Sequence, residues 1–278
     1  MLRACKGALC VLLALLLFLP FGSCSARESE QILRVTVLDV GQSDCILLSQ
    51  GDVHALIDTG TSASRESIVA ELASRGVRSL AFVIVTHPHE DHFGNARYIM
   101  ETRTVGELIL SDIPSDDIGY RLLTDTADAC GVPVRAWQEP CSLTLGTARL
   151  DLLCALPDDA NINNASLVVR VHFGETVLLF MGDAEEKAEA ALLASGVALD
   201  CDFLKVGHHG SDTATSKAFL EATTPTLAAI SCGWQNEHGF PHAAVLDRLA
   251  ASQTAIYRTD LSGTLQFVSD GKAVTFLE

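Results

Sequence analysis

Positive charge is scarce in this chain. Lysine and arginine number 19 against 35 acidic residues in 278, for a formal net charge of −16, so a broad electrostatic footprint on a polyanion is disfavoured. A bound cation inverts the local field, which leaves a metal-rich cleft open to an anionic substrate. Glycine (20) and proline (8) fall short of a collagen-like or linker composition, and no segment repeats at a fixed period. Solenoids and propellers are thereby excluded. Charged residues make up only 19% of the chain and hydrophobic residues 48%, which excludes a solvated tail and supplies a core. Nine cysteines are present, yet none forms a C-x-x-C pair. A long apolar run is also lacking: Ala8 to Phe21 covers 14 residues, below the roughly 17–25 that span a bilayer as a helix.

That run has the pattern of an export signal. Arg3 and Lys6 precede it, and the small residues Gly22, Ser23, Cys24, Ser25 and Ala26 follow, so residues 1–24 are expected to be a signal peptide. Phe21-Gly22-Ser23-Cys24 resembles a bacterial lipobox, which would lipidate Cys24 and attach the protein to a membrane; cleavage after Ala26 is the competing outcome. The expected location is outside the cytoplasm, extracellular or at the cell surface. Removing 1–23 takes away two basic residues and no acid, so the body is more acidic still. Cys45, Cys130, Cys141, Cys154, Cys201 and Cys232 remain in it, with Cys130 and Cys141 the nearest pair. A domain of this size needs no disulfides, and buried thiols in strands are the expectation.

From residue 30 to 278 no Pro/Gly/Ser linker interrupts the alternation of strand-like and helix-like segments, so one domain is drawn. Short apolar strands are expected at Leu33 to Val40, Asp44 to Ser49 and Val53 to Ile57, and a helix at Glu66 to Arg75. Leu80 to Val85 is a β-branched run of the kind covered on both faces. Further strands are expected at Val105 to Leu110, Val132 to Trp137, Ser142 to Leu145, Ala148 to Cys154, Ser166 to Val171 and Thr176 to Phe180. The same pattern gives strands at Asp202 to Val206, Thr226 to Ser231 and Ala255 to Tyr257, and helices at Ile118 to Ala129, Ala184 to Ala194 and Ala243 to Ala250. Strands clustered at the start and middle with helices outside predict two stacked sheets flanked by helices, an α/β sandwich.

Chemistry concentrates where the buried strand stops, at Thr86-His87-Pro88-His89-Glu90-Asp91-His92, an H-x-H-x-D-H motif. His87 and His89, two apart in an extended segment, point the same way, while Asp91 and His92 on the following turn reach a neighbouring point. Imidazole with carboxylate suits a divalent metal, one or two ions, with zinc first and manganese next. Asp183 follows Val177 to Gly182 at a strand end and suits a bridging carboxylate; the competing reading is N-cap of a helix beginning at Ala184. His208-His209-Gly210-Ser211 ends another strand. His208 is expected to complete the second metal position, with His209 beside it or on the substrate. Lys205 offers positive charge to an anionic group or snorkels from its strand. Ser211 supports the site from behind or caps the next helix. His242 is a substrate-side candidate, and His238 a loop residue.

Taken together, these segments resemble metallo-β-lactamase-fold hydrolases, in particular the extracellular domain of the competence protein ComEC and its stand-alone relatives. The likeness runs from Leu38-Asp39-Val40-Gly41-Gln42-Ser43-Asp44 through Leu56-Ile57-Asp58-Thr59-Gly60 and the histidine motif. It continues through Asn163 to Val168, Met181-Gly182-Asp183, Leu204 to Ser211, Asn236 to His242 and Tyr257 to Asp260. The resemblance implies an αββα sandwich of two mixed β-sheets with metals at one edge and Asp58 supporting the metal loop from behind. Classical β-lactamases carry a third histidine for the first metal where this chain has Asn164 and Ser166. Ser43 stands where the family usually has glycine, and Phe240 where a histidine is common.

The expected activity is metal-assisted hydrolysis, in which Asp91 and Asp183 hold the metals and Lys205 and His209 stabilise developing charge, with Asp91 also orienting the attacking water. The resemblance favours a phosphodiester substrate, either DNA or another extracellular phosphodiester. Hydrolysis of an acyl, lactone or β-lactam bond is the alternative, and a non-catalytic binding lipoprotein that keeps the fold is a third. The oligomeric state is left open by the sequence.

Overall fold

The computed structural model describes residues 31–111, 113–137, 141–154, 156 and 160–278. The expected signal peptide, with Cys24, lies outside them. Six strands open the chain: β1 (Leu33–Val37), β2 (Ile46–Gln50), β3 (Val53–Ile57), β4 (Phe82–Val85), β5 (Leu108–Leu110) and β6 (Val134–Ala136). Seven more follow: β7 (Cys141–Leu145), β8 (Ala148–Leu153), β9 (Val168–Phe173), β10 (Thr176–Phe180), β11 (Phe203–Lys205), β12 (Leu227–Ile230) and β13 (Ala255–Arg258). The closing hairpin is β14 (Leu265–Ser269) and β15 (Val274–Leu277).

Among the described residues these strands form two mixed sheets, in the orders β15-β14-β1-β2-β3-β4-β5-β6 and β13-β12-β11-β10-β9-β8-β7. The chain therefore builds most of the first sheet, crosses once to build the second, and returns to add its last hairpin to the first. Each sheet is antiparallel at one side and parallel at the other. The parallel pairs are β3-β4-β5-β6 in the first sheet and β10-β11-β12-β13 in the second. Parallel neighbours end at the same side of a sheet, and the loops after β3, β4, β10 and β11 carry the chemistry-bearing residues.

A period of two explains why the sheets stack. Val35, Ile46, Leu48, Ala55, Ile57 and Ile84 of the first sheet face Leu150, Val169, Val171, Leu178 and Phe180 of the second in one continuous core. Phe203 on β11 meets Phe267 on β14 at 4.7 Å between ring centroids, a direct contact across the sandwich. Burying each such ring contributes about 1.5–3 kcal/mol. Intervening residues face outward into two further clusters. Leu47, Leu56, Val83 and Val85 pack under the helices on the first sheet, and Val168, Leu179 and Leu204 under those on the second.

The helices covering the first sheet are α1 (Arg65–Ser74), α2 (Glu90–Phe93), α3 (Ala96–Thr102) and α4 (Ile118–Cys130). On the second lie α5 (Glu186–Ser195), α6 (Lys217–Thr223) and α7 (Ala243–Ala251), with a short α8 (Thr259–Ser262). Asp117 caps α4 by accepting from Tyr120 N at 3.0 Å, and Gly131 stops it at φ +68°. Expected and observed elements differ at several places. The Leu80 to Val85 run divides: Ser79–Leu80 pairs with Thr104–Val105, and only Phe82–Val85 joins the sheet. The helix expected from Ala184 begins at Glu186 instead. Cys45, Cys141, Cys201 and Cys232 are buried without disulfides, and Cys130 is exposed and unbridged.

Candidate metal centre

Asp58, in the left-handed region (φ +59°) just after β3, anchors the site from behind. Its carboxylate accepts from Thr86 N at 2.8 Å and Thr86 Oγ1 at 2.9 Å, and from His92 Nδ1 at 2.8 Å. With Nδ1 committed to a carboxylate, His92 turns Nε2 into the site, the arrangement that orients metal-binding imidazoles. Its geometry is that of a support, although Asp58, Asp44 and His92 also bring one ligand atom each within 4.8 Å of one another.

Two donor groups meet in front of it. Asp91, His92, Asp183 and His209 bring one ligand atom each within 4.8 Å of one another, and His87, His89 and Asp183 do the same beside them. Asp183 belongs to both. Its Oδ1 lies 3.4 Å from His92 Nε2 and 3.7 Å from His209 Nε2, and its Oδ2 lies 3.8 Å from His87 Nε2. The competing reading of Asp183 as a helix cap does not match its position, because α5 starts three residues later and is preceded by Glu185. Ser166 Oγ accepts from Asp183 N at 3.2 Å and so positions the bridging residue.

The two adjacent histidines take opposite places from those expected. His209 Nδ1 donates to the Ser231 carbonyl at 3.0 Å, and its Nε2 lies 3.2 Å from Asp91 Oδ2 inside the four-residue group. His208 turns aside to Glu185 (3.0 Å) and Thr213 (3.3 Å), with Nε2 3.9 Å from Asp183. Both residues have positive φ, 45° and 52°, and this sharp turn directs the second ring rather than the first inward.

Lys205 also departs from its expected role. It is completely buried, 2.8 Å from Asp44 Oδ2, and donates to the Val206 carbonyl at 2.9 Å. Its ammonium is thus engaged by Asp44 and the Val206 carbonyl rather than offered to a substrate. It joins β11 of the second sheet to the β1–β2 loop of the first beneath the site. The remaining candidates are structural in position. Asn164 Oδ1 accepts from Ala188 N on α5, and Ser211 Oγ pairs with Thr213 Oγ1. His242 Nδ1 accepts from Asp212 N at 3.0 Å, outside the donor groups. Gln42, Asp44, Thr86 and Glu185 carry parts of the site that the sequence reading assigned to no role. Gln42 and Asp44 do lie in the Leu38 to Asp44 segment that carries the family resemblance.

Chemistry and burial together fit a divalent cation. His92 Nε2 and Asp183 Oδ1 are buried with no hydrogen-bond partner among the described residues, although both face the four-residue group. Unmatched buried polar atoms of this kind are rare unless something else engages them. Burial, and then neighbouring His92, push His87 well below its ordinary value, leaving a neutral imidazole whose Nε2 lies 2.9 Å from His89 Nδ1. Burial opposes charge on His209, but Asp183, Asp44 and Asp91 outweigh it and push the imidazole up to about 10. His92 is raised well above its ordinary value against the same opposition, by Asp183, Asp58 and Asp91. Asp183 is held well below the carboxylate range, because His92 and His209 outweigh its burial. Protons on these imidazoles balance the carboxylates where a cation would otherwise do so. In front of the groups opens a cleft of about 450 Å³ lined by Gln42, Asp91, His208, His209, Glu237, His238 and Phe240.

Two stacked mixed sheets with an H-x-H-x-D-H loop and Asp183 at one edge define the metallo-β-lactamase fold, and this chain has it. A model of the metallo-β-lactamase superfamily matches residues 38–115. The fold is also that of the crystal structure of the metallo-β-lactamase fold protein YhfI from Bacillus subtilis. The two superpose at a TM-score of 0.60 with 12% identity, covering 86% of this chain and 99% of that one. Homologues of this chain include ComEC-type competence proteins. It is 28% identical to ComE operon protein 3 of Bacillus subtilis (strain 168), covering 97% of this chain and 36% of that protein. It is 34% identical to competence protein ComA of Neisseria gonorrhoeae, covering 84% and 32% respectively. The chain thus spans about a third of the length of these relatives.

Proposed function

We propose that this protein is an exported metal-dependent hydrolase that cleaves phosphodiester bonds. The observation that carries the reading is the bridging position of Asp183, one carboxylate oxygen toward Asp91, His92 and His209 and the other toward His87 and His89. Two donor groups sharing a carboxylate suit a pair of cations, with zinc first because imidazole nitrogen and carboxylate oxygen are its common ligands. Divalent ions held there supply Lewis acidity and activate water near neutral pH.

The protein's own residues do the rest. Asp58 and the Ser231 carbonyl fix the rings of His92 and His209, so each Nε2 stays aimed inward. Ser166 holds Asp183 at the junction. Asp91, partly open to the cleft, is the acceptor placed to orient an attacking water. Resemblance to ComEC-type proteins favours a phosphodiester, DNA among the candidates, and a cleft of about 450 Å³ opens in front of the donor groups. Export, and a lipid anchor at Cys24, rest on the pattern of residues 1–26.

Metal content by elemental mass spectrometry, combined with hydrolysis of bis(p-nitrophenyl) phosphate under zinc or manganese, tests this reading on leader-free protein. The expected result is bound metal with turnover that a chelator abolishes. Turnover of p-nitrophenyl acetate without turnover of the diester would replace it with acyl hydrolysis, and bound metal with neither activity would leave a binding protein.

A further inference from the structure

Gln42 lies in the loop between β1 and β2, and its side chain lines the cleft beside Asp91, His208 and His209. The orientation of its amide is fixed, because Oε1 accepts the Gly233 N–H at 3.2 Å and the amide nitrogen must therefore face the other way. Nε2 is buried and has no hydrogen-bond partner among the described residues. A buried donor without an acceptor is rare in folded proteins.

Other features of the chain hold Gln42 in that place. A Cβ at Gly233 would lie 3.0 Å from Gln42 N and 3.3 Å from Gly41 C, so the loop after β12 packs closely on this backbone and a side chain there would push it by a few tenths of an ångström. Ser43 Oγ donates to the Val40 carbonyl at 2.9 Å, closing the turn. The amide of Asp44 then donates to the Asp91 carbonyl at 3.2 Å, which ties the loop to the segment bearing the metal candidates. An anionic group approaching Asp91 needs a donor to offset the carboxylate. Lys205, expected from the sequence to supply one, is buried against Asp44.

We infer that Gln42 is a substrate-contacting donor, its Nε2–H groups hydrogen-bonding a non-bridging oxygen of the phosphoryl group at the metal centre. This rests on the phosphodiesterase reading. A neutral amide suits the position, since it stabilises negative charge on oxygen without repelling a cation. Because charge on those oxygens is redistributed as the ester bond breaks, the contact acts on turnover as well as on affinity.

Gln42→Glu tests this with little change of shape. The carboxylate still accepts from Gly233 N–H, but an acceptor replaces the donor. The first readout is calorimetric binding of inorganic phosphate to zinc-loaded wild type, Gln42→Glu and Gln42→Leu, each checked for metal content and melting temperature. The expected result is phosphate binding about tenfold weaker or worse in both variants. The second is kcat/KM for bis(p-nitrophenyl) phosphate, expected to fall about 100-fold in Gln42→Glu. Phosphate affinity within twofold of wild type in both variants overturns the inference, as does a lowered melting temperature with unchanged affinity, the mark of a purely structural residue. If the wild type binds phosphate but hydrolyses no diester, the phosphodiesterase reading fails while the affinity comparison still decides the role of Gln42. Should the wild type bind no phosphate, the inference fails outright.

Discussion

At the scale of the residue, the site turns on which of two adjacent histidines faces inward. The sequence places His208 and His209 together at a strand end, but only their backbone angles, φ 45° and 52°, decide which ring enters the donor group. Non-glycine residues in the left-handed region carry strain that surrounding structure must overcome, and no pattern of residue types announces it. His209→Ala is therefore expected to weaken metal binding more than about 100-fold, and His208→Ala by about 10–100-fold at most, as for a supporting partner. Competition with a chromophoric zinc chelator measures both, and equal losses would contradict the assignment. Lys205 teaches a related lesson: its position beside the motif was legible, its direction was not. Lys205→Ala leaves Asp44 as a buried charge without its counter-ion. A cost of about 3–5 kcal/mol in urea-induced unfolding follows, partly recovered by adding Asp44→Asn. A loss below about 1 kcal/mol would show that the pair does not join the sheets as described.

At the scale of the element, strands were more legible than helices. Val53–Ile57 and Thr176–Phe180 stand where the apolar runs set them, because alternation is a local signal that either face of a sheet rewards. The helices at Glu90–Phe93, Ala96–Thr102 and Lys217–Thr223 went unread. They are short, and α2 carries two ligand candidates where an amphipathic helix would carry core residues. Packing fixes α2 instead. Beyond its end, a Cβ at Gly94 would lie 2.5 Å from Ser62 N and 2.7 Å from both the Glu90 and Gly60 carbonyl oxygens, so the backbone of the loop after β3 leaves no room for a side chain. Gly94→Ala must push these segments apart, at a cost of about 1–3 kcal/mol. Because Asp91 and His92 lie on the displaced helix, metal occupancy is expected to fall with it. Thermal unfolding of the metal-free protein together with elemental analysis checks both effects, and an unchanged melting temperature would show that the contact is loose.

For the whole molecule, the concentration of carboxylates and imidazoles at one edge makes metal binding and pH inseparable. In the metal-free protein His209 is raised from 6.5 to about 10, and so holds a proton at neutral pH. A metal needs the neutral imidazole, so uptake at pH 7–8 must release protons, and affinity must rise with pH toward about 10. Calorimetry in two buffers of different ionisation enthalpy counts them, and no release would refute the charge arrangement described. The sign for the metal-free fold is opposite. A raised folded value contributes stability that is full below 6.5 and is lost as pH climbs through about 10. Among the described residues no helix is long and apolar enough to cross a membrane. Strand alternation and ligand spacing are local, so the chain's residues alone marked the strands and placed the histidine motif, Asp183 and the His208-His209 pair at strand ends, while the stacking of two sheets came with the family resemblance. Only the tertiary structure decided that Asp183 joins two donor groups, that His209 enters and His208 turns aside, that Lys205 braces the sheets and that Gln42 lines the cleft. Each of those contacts pairs residues far apart in the chain, through loops whose backbone angles are set by packing between the two sheets.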